Sequence, residues 1–150
     1  MPSDISNPAD KIEVLSGAIN SPEIYFGSAR NSFLGNGERW TVGTQDLTAP
    51  SDIKANTLYL GGSWSFDSEY AENKNAGTVI FKYSAKNVYM VASSDKETEV
   101  EVYLDGKLKK TISVKAEMLY SLISGTDYGG HTLMLKIKNP GVDIFTFTFG

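Results

Sequence analysis

Three groups of residues in the sequence have types and spacings that could do chemistry. The segment Asp67-Ser68-Glu69-Tyr70-Ala71-Glu72 sets two glutamates three positions apart. Such a pair serves as acid and nucleophile in glycoside hydrolysis if the fold fixes the separation; otherwise it is a solvated loop, a sugar contact or a calcium ligand set. Arg30 follows Tyr25-Phe26 and offers either a planar donor fork to a ligand or an ion pair to Glu23. The aromatic residues form the third group, with two tryptophans and eight tyrosines. A flat ring covers the apolar C–H side of a sugar while nearby amides, carboxylates and guanidinium groups take its hydroxyls. Trp64, in Gly62-Ser63-Trp64-Ser65-Phe66, is either such a platform or a core indole.

Composition removes most other chemistries. The chain contains no cysteine, which excludes thiol nucleophiles, disulfides and cysteine-based metal sites. Its single histidine, His131, cannot build a cage of several imidazoles, and a Ser/His/Asp triad would have to use this one residue. No metal or cofactor is expected. With 18 acidic against 14 basic side chains and a formal charge of -4, the surface lacks the clustered cations that draw nucleic acid. The glycine clusters Gly35-Asn36-Gly37, Gly61-Gly62 and Gly129-Gly130 lack the following lysine and helix that a phosphate cradle needs.

The elements that must position these groups are strands. A length of 150 residues with 41% apolar composition fits one domain with a real core. From Tyr59 onward apolar residues recur with a period of two. Val79, Phe81 and Tyr83 share a face opposite Ile80 and Lys82, and Val100, Val102 and Leu104 share one opposite Glu99, Glu101 and Tyr103. By the same parity Tyr89 and Tyr103 fall on outer faces. Asp105-Gly106 is the signature of a two-residue hairpin turn, and Asn139-Pro140-Gly141 marks a second turn. In the last strand the apolar parity switches between Ile144 and Phe145, which predicts a bulge or a strand covered on both faces. Seven or eight short strands with frequent turns predict an all-β, antiparallel β-sandwich, of jelly-roll rather than immunoglobulin topology.

Residues 1–20 read differently. Asn7-Pro8 followed by Ile12 and Leu15 predicts a short capped helix ending near Gly17, within a tether or linker. No window has the form of a signal peptide or a membrane span, so this chain is expected to make no membrane contact itself and, if the protein works outside the cytoplasm, to be a piece of a longer one.

Several segments, taken in order, resemble the C-terminal domain of DipZ-type thioredoxin-family proteins. Ser21-Pro22-Glu23-Ile24-Tyr25-Phe26-Gly27-Ser28-Ala29-Arg30 is similar to that domain's entry motif. The likeness continues through Leu60 to Glu72, Asn87 to Val91, Val102 to Gly106 and Leu119 to Leu122, and closes on Asn139-Pro140-Gly141-Val142 through Phe149-Gly150. The resemblance implies that residues 21–150 are a jelly-roll domain similar to carbohydrate-binding modules, placed after a thioredoxin-like domain whose tail or linker is residues 1–20. It implies a non-catalytic role in an extracytoplasmic, membrane-anchored or secreted protein of cytochrome c biogenesis and thiol–disulfide exchange, with the redox chemistry in the other domain. Carried over by position, Tyr25, Arg30, Trp64, Glu72 and Tyr120 become the ligand-binding candidates: Tyr25 and Trp64 stacking, Arg30 and Glu72 binding hydroxyls, and Tyr120 doing either. The implied partners are a carbohydrate and the thioredoxin-like domain, the second giving Tyr25 and Arg30 an alternative role in an interdomain contact.

Overall fold

The computed structural model describes residues 20–150, so the helix expected before Gly17 and nearly all of the 1–20 linker lie outside the described residues. Nine strands follow in chain order: β1 (Ile24–Tyr25), β2 (Gly43–Leu47), β3 (Leu58–Phe66), β4 (Ala71–Asn73), β5 (Gly77–Ser94), β6 (Thr98–Leu104), β7 (Lys107–Val114), β8 (Met118–Ile137) and β9 (Val142–Phe149). Among the described residues there is no helix. All strand pairings are antiparallel.

Two strands are far longer than the alternation alone suggests. β5 runs for 18 residues and β8 for 20, and they pair with each other along most of that length. The first half of β5 pairs with β3 and the second half with β9, while the second half of β8 pairs with β6. Each long strand therefore passes from one layer of the sandwich to the other. The crossing shows as two breaks in register, between Ala85 and Asn87 and between Val88 and Tyr89. One layer comprises β2, β3, β6 and β7 around the early half of β5 and the late half of β8; the other comprises β9 with the late half of β5 and the early half of β8. Strands β1 and β4 lie end to end along the outer edge of β9, and β4 also pairs with the end of β3, joining the layers a second time.

The period-two pattern sends one residue in two between the layers. Leu60, Val79, Phe81, Val102, Leu133 and Leu135 come from one layer and Ile24, Val88, Met90, Ile144 and Phe147 from the other, all fully buried. Asp105 and Gly106 both have positive φ, 50° and 84°, as the expected hairpin requires. The parity switch in β9 is a bulge: Val91 faces Thr146 and Ala92 faces Ile144, so Phe145 is the extra residue.

Trp64 belongs to this core. Its side chain is 0% exposed, and its indole Nε1–H donates to the Gly61 carbonyl at 2.9 Å. A Cβ on Gly77 would lie 3.0 Å from the ring, so the glycine makes room for the indole. The other tryptophan, Trp40, is 58% exposed. Truncating Trp64 to alanine is expected to destabilise the domain by about 3–5 kcal/mol in urea unfolding, and truncating Trp40 by less than about 0.5 kcal/mol. Iodide should quench the Trp40 emission and leave that of Trp64; equal quenching of both would contradict the assignment.

Candidate functional site

The segment that follows β1 is tied to two other loops by hydrogen bonds from its own backbone and side chains. Phe26 is fully buried and its N–H donates to the Phe145 carbonyl at 2.9 Å, which anchors the segment on β9. Ser28 and Ala29 donate to the carbonyls of Asp67 and Ser68 at 2.8 and 3.0 Å. A Cβ on Gly27 would collide with the Ser68 and Glu69 backbone, so only glycine lets the two loops approach this closely. The exposed Arg30 then folds back, with its guanidinium carbon 3.8 Å from the centre of the Tyr25 ring. Stacking of this kind contributes roughly 0.5–1 kcal/mol at an exposed position. Tyr25 and Arg30, with Gly27, Ala29, Ser68 and Glu69, line a hollow of 130 Å³.

This arrangement changes the roles expected of both residues. One face of Tyr25 is already covered by Arg30, so the two act as a unit. Arg30 does not pair with Glu23, whose carboxylate instead accepts weakly from the Thr148 hydroxyl at 3.5 Å.

The next residues of the same segment hold Trp40. Asn31, 1% exposed, accepts a hydrogen bond from the Trp40 N–H at 2.9 Å, and the Ser32 carbonyl accepts one from Arg39 at 3.2 Å. From the other side Gln45 on β2 takes the Glu38 N–H at 2.8 Å and donates to the Glu38 carbonyl at 3.1 Å. Trp40 itself sits at φ 64°, a backbone conformation that costs on the order of 1 kcal/mol or more for a residue with a side chain. The result is an indole held outward by a fixed loop, with Phe33 and Val42 also exposed nearby in sequence. Sequence reasoning missed Trp40. Its one signal was the setting, a bulky aromatic in a glycine-rich and polar loop without strand alternation.

Glu72 lies on β4 directly across from Asp143 on β9. Both line a polar cavity of 510 Å³ with Tyr70, Ser94, Asp95 and Lys96. Tyr25 and Glu72 thus share the outer edge of β9, paired with Thr146 and Asp143 respectively, about 10 Å apart along the strand. The rings of Tyr70 and Phe145 fill part of the space between, 5.3 Å apart. Burial first, and then the neighbouring charges of Glu72 and Asp95, push Asp143 up to about 6. Lys74 pairs with Glu72 at 3.8 Å. Glu69 and Glu72 line separate cavities, so they do not form the shared carboxylate pair that glycoside hydrolysis would need.

Two of the five candidates fall away from this edge. Trp64 is the core indole described above and has no free face for stacking. Tyr120 pairs with Met90 on the core side of its layer, the side opposite Tyr25. Its hydroxyl donates to the Ala116 carbonyl at 2.6 Å and accepts from the Lys115 N–H at 3.0 Å, which pins the turn between β7 and β8. His131 is bonded through Nδ1 to Asp105 at 2.6 Å, and among the described residues its ring meets no serine or threonine hydroxyl, as a triad would require.

The strands and loops together define a β-sandwich domain in which Tyr25 and Glu72 lie along the outer edge of β9, with Arg30 and Glu69 on the loops beside them. The chain belongs to the thioredoxin-like C-terminal domain family, whose sequence profile matches residues 21–150. Comparison with curated proteins finds no match. Among solved structures, a family two carbohydrate esterase from Clostridium thermocellum in complex with cellohexaose is similar at 22% identity and a TM-score of 0.53, over 58% of this chain and 29% of that one. A family two carbohydrate esterase from Cellvibrio japonicus is similar at 12% identity and a TM-score of 0.57, over 73% and 33%. A family 6 carbohydrate-binding module is similar at 14% identity and a TM-score of 0.45, over 86% and 92%. The chain spans about a third of the esterases' length, and the likeness to them is one of fold.

Asp143 makes the cavity's electrostatics testable. Its carboxyl titrates near 6 in the folded domain against an ordinary 3.8, so the folded state binds the proton more tightly than the unfolded chain. The stabilisation from that proton is complete below about pH 4 and is lost as pH rises through about 6. Asp143→Asn should therefore gain stability relative to the parent between pH 4 and 7 in urea unfolding; a difference independent of pH would refute the assignment.

Proposed function

We propose that this domain is a non-catalytic accessory module that binds carbohydrate at the edge formed by the segment 26–32, the Trp40 loop and the loop 67–72. The carrying observation is the exposed indole of Trp40, on a loop whose backbone is fixed by Gln45 and by Asn31, the residue that follows Arg30. An exposed tryptophan on a loop whose backbone is already fixed offers a flat face for stacking, and the loop itself need not be ordered on binding. Arg30 and Glu69 supply a donor fork and an acceptor for hydroxyls, and the cavity at Glu72 and Asp143 offers a second polar position along the same edge. The absence of cysteine from the sequence is consistent with thiol chemistry residing in a separate thioredoxin-like domain. In this reading the parent protein is extracytoplasmic, membrane-anchored and of the DipZ type, and the module places its redox domain near a glycan.

A second reading is supported by position. The Tyr25–Arg30 unit lies at the start of the family-matched region, close in sequence to where a preceding domain would join, and Tyr and Arg are favoured anchors of protein contacts. This reading makes the edge a docking surface for the thioredoxin-like domain.

Fluorescence separates the two. Titration with neutral oligosaccharides of plant and microbial walls should shift the Trp40 emission saturably, and Trp40→Ala or Arg30→Ala should weaken binding at least tenfold while lowering stability in urea by no more than about 1 kcal/mol. Unaltered emission across the panel would reject sugar binding here. Amide shifts at Tyr25 and Arg30 on adding the thioredoxin-like domain in trans would then favour docking.

A further inference from the structure

A separate cleft opens where β5 and β8 cross from one layer to the other, away from the edge described above. It has a volume of 460 Å³, within the range of about 300–1,000 Å³ typical of small-molecule pockets. Its floor is apolar, with Ala85, Leu104 and Leu122, and its wall carries Lys86, Lys109 and Lys110. In a chain of formal charge -4 this is a concentration of positive charge.

Tyr83 lines the cleft. Its side chain is 2% exposed, yet its hydroxyl is buried and has no hydrogen-bond partner. The ring is fixed by stacking on Phe149 at 5.7 Å and lies 5.9 Å from His131. Burial, and then the charge of Asp105, push the phenol up to about 12, so it stays protonated and able to donate at neutral pH. A buried hydroxyl without a partner is costly, and such groups in native proteins call for an explanation. Asp105, the acidic residue beside it, is already engaged: His131 Nδ1 lies 2.6 Å from one of its oxygens and the Thr132 N–H donates to the other at 2.8 Å.

We propose that this cleft binds a small organic carboxylate carried on a compact ring, with the Tyr83 hydroxyl donating to the carboxylate and Lys86, Lys109 and Lys110 supplying the charge. The apolar floor takes the ring. The lysines make the affinity fall with salt, whereas the buried Tyr83 contact is screened little.

The test is an amide NMR titration of the whole chain with D-glucuronate, benzoate and, as the neutral control, D-glucose, at low and high salt. Either carboxylate should give saturable shifts around Tyr83, Lys109 and His131; glucuronate alone would point to an acidic sugar, benzoate alone or both to the carboxylate and ring without need of sugar hydroxyls. Tyr83→Phe should weaken binding about tenfold, the size expected for a hydrogen bond to a charged group, and leave the unfolding midpoint unchanged or raised. The double variant Lys109→Gln and Lys110→Gln should weaken binding and flatten its salt dependence, while Trp40→Ala changes nothing here. Absence of saturable shifts, equal binding of glucose, a lowered midpoint in Tyr83→Phe or unaltered affinity in that variant would each overturn the proposal.

Discussion

The pairing of β5 with β8 is the interaction on which the rest of the domain depends. Two strands of 18 and 20 residues run antiparallel through both layers, so the layers share a hydrogen-bonded spine as well as a core. The spine sets the strand order, because β3 and β9 both dock on β5, one on each half. It also forces a defect. A strand that changes layer must turn its side chains over, and the register breaks on either side of Asn87 are where that happens. The cleft at Tyr83 lies beside this defect, and its buried, unpartnered hydroxyl belongs to the same region of imperfect packing.

The opposite situation holds along the outer edge of β9. There β1 and β4 occupy one edge end to end, and loops are cross-tied rather than strained open. Segment 26–32 bonds to the 67–68 loop through its backbone and to the Trp40 loop through Asn31 and Ser32. Each tie is an ordinary hydrogen bond worth about 1 kcal/mol, and together they fix the loop backbones that carry Arg30, Trp40 and Glu69. Such preorganisation is what a weakly binding surface site needs, since affinity there is limited by the ordering of its side chains.

Much of the fold was legible because burial in a sandwich imposes a period of two. The inward faces of Val79, Phe81 and Val102, the Asp105-Gly106 turn and the bulge at Phe145 follow from local rules, and each is found in the structure. The length of β5 and β8 was less accessible, since breaks in alternation at the crossing look like strand ends. The site was harder still. Trp64 and Trp40 are chemically alike, and what separates them is long-range: Gly77 clears space for one indole, while Asn31 and Gln45 hold the backbone beside the other outward. Tyr120 likewise sits in a strand pattern that says nothing of the carbonyl its hydroxyl will reach. Tyr25 and Arg30 became candidates together through the family resemblance, but the stacking of one on the other was visible only in three dimensions.

The edge around Trp40 and Arg30 is proposed as a carbohydrate site. The most direct measurement is the crystal structure of the domain soaked with the oligosaccharide that most perturbs its tryptophan emission. A sugar ring should lie flat on the Trp40 indole with a hydroxyl bonded to Arg30. A sugar bound elsewhere with the indole bare, or an empty edge at saturating ligand, would contradict it.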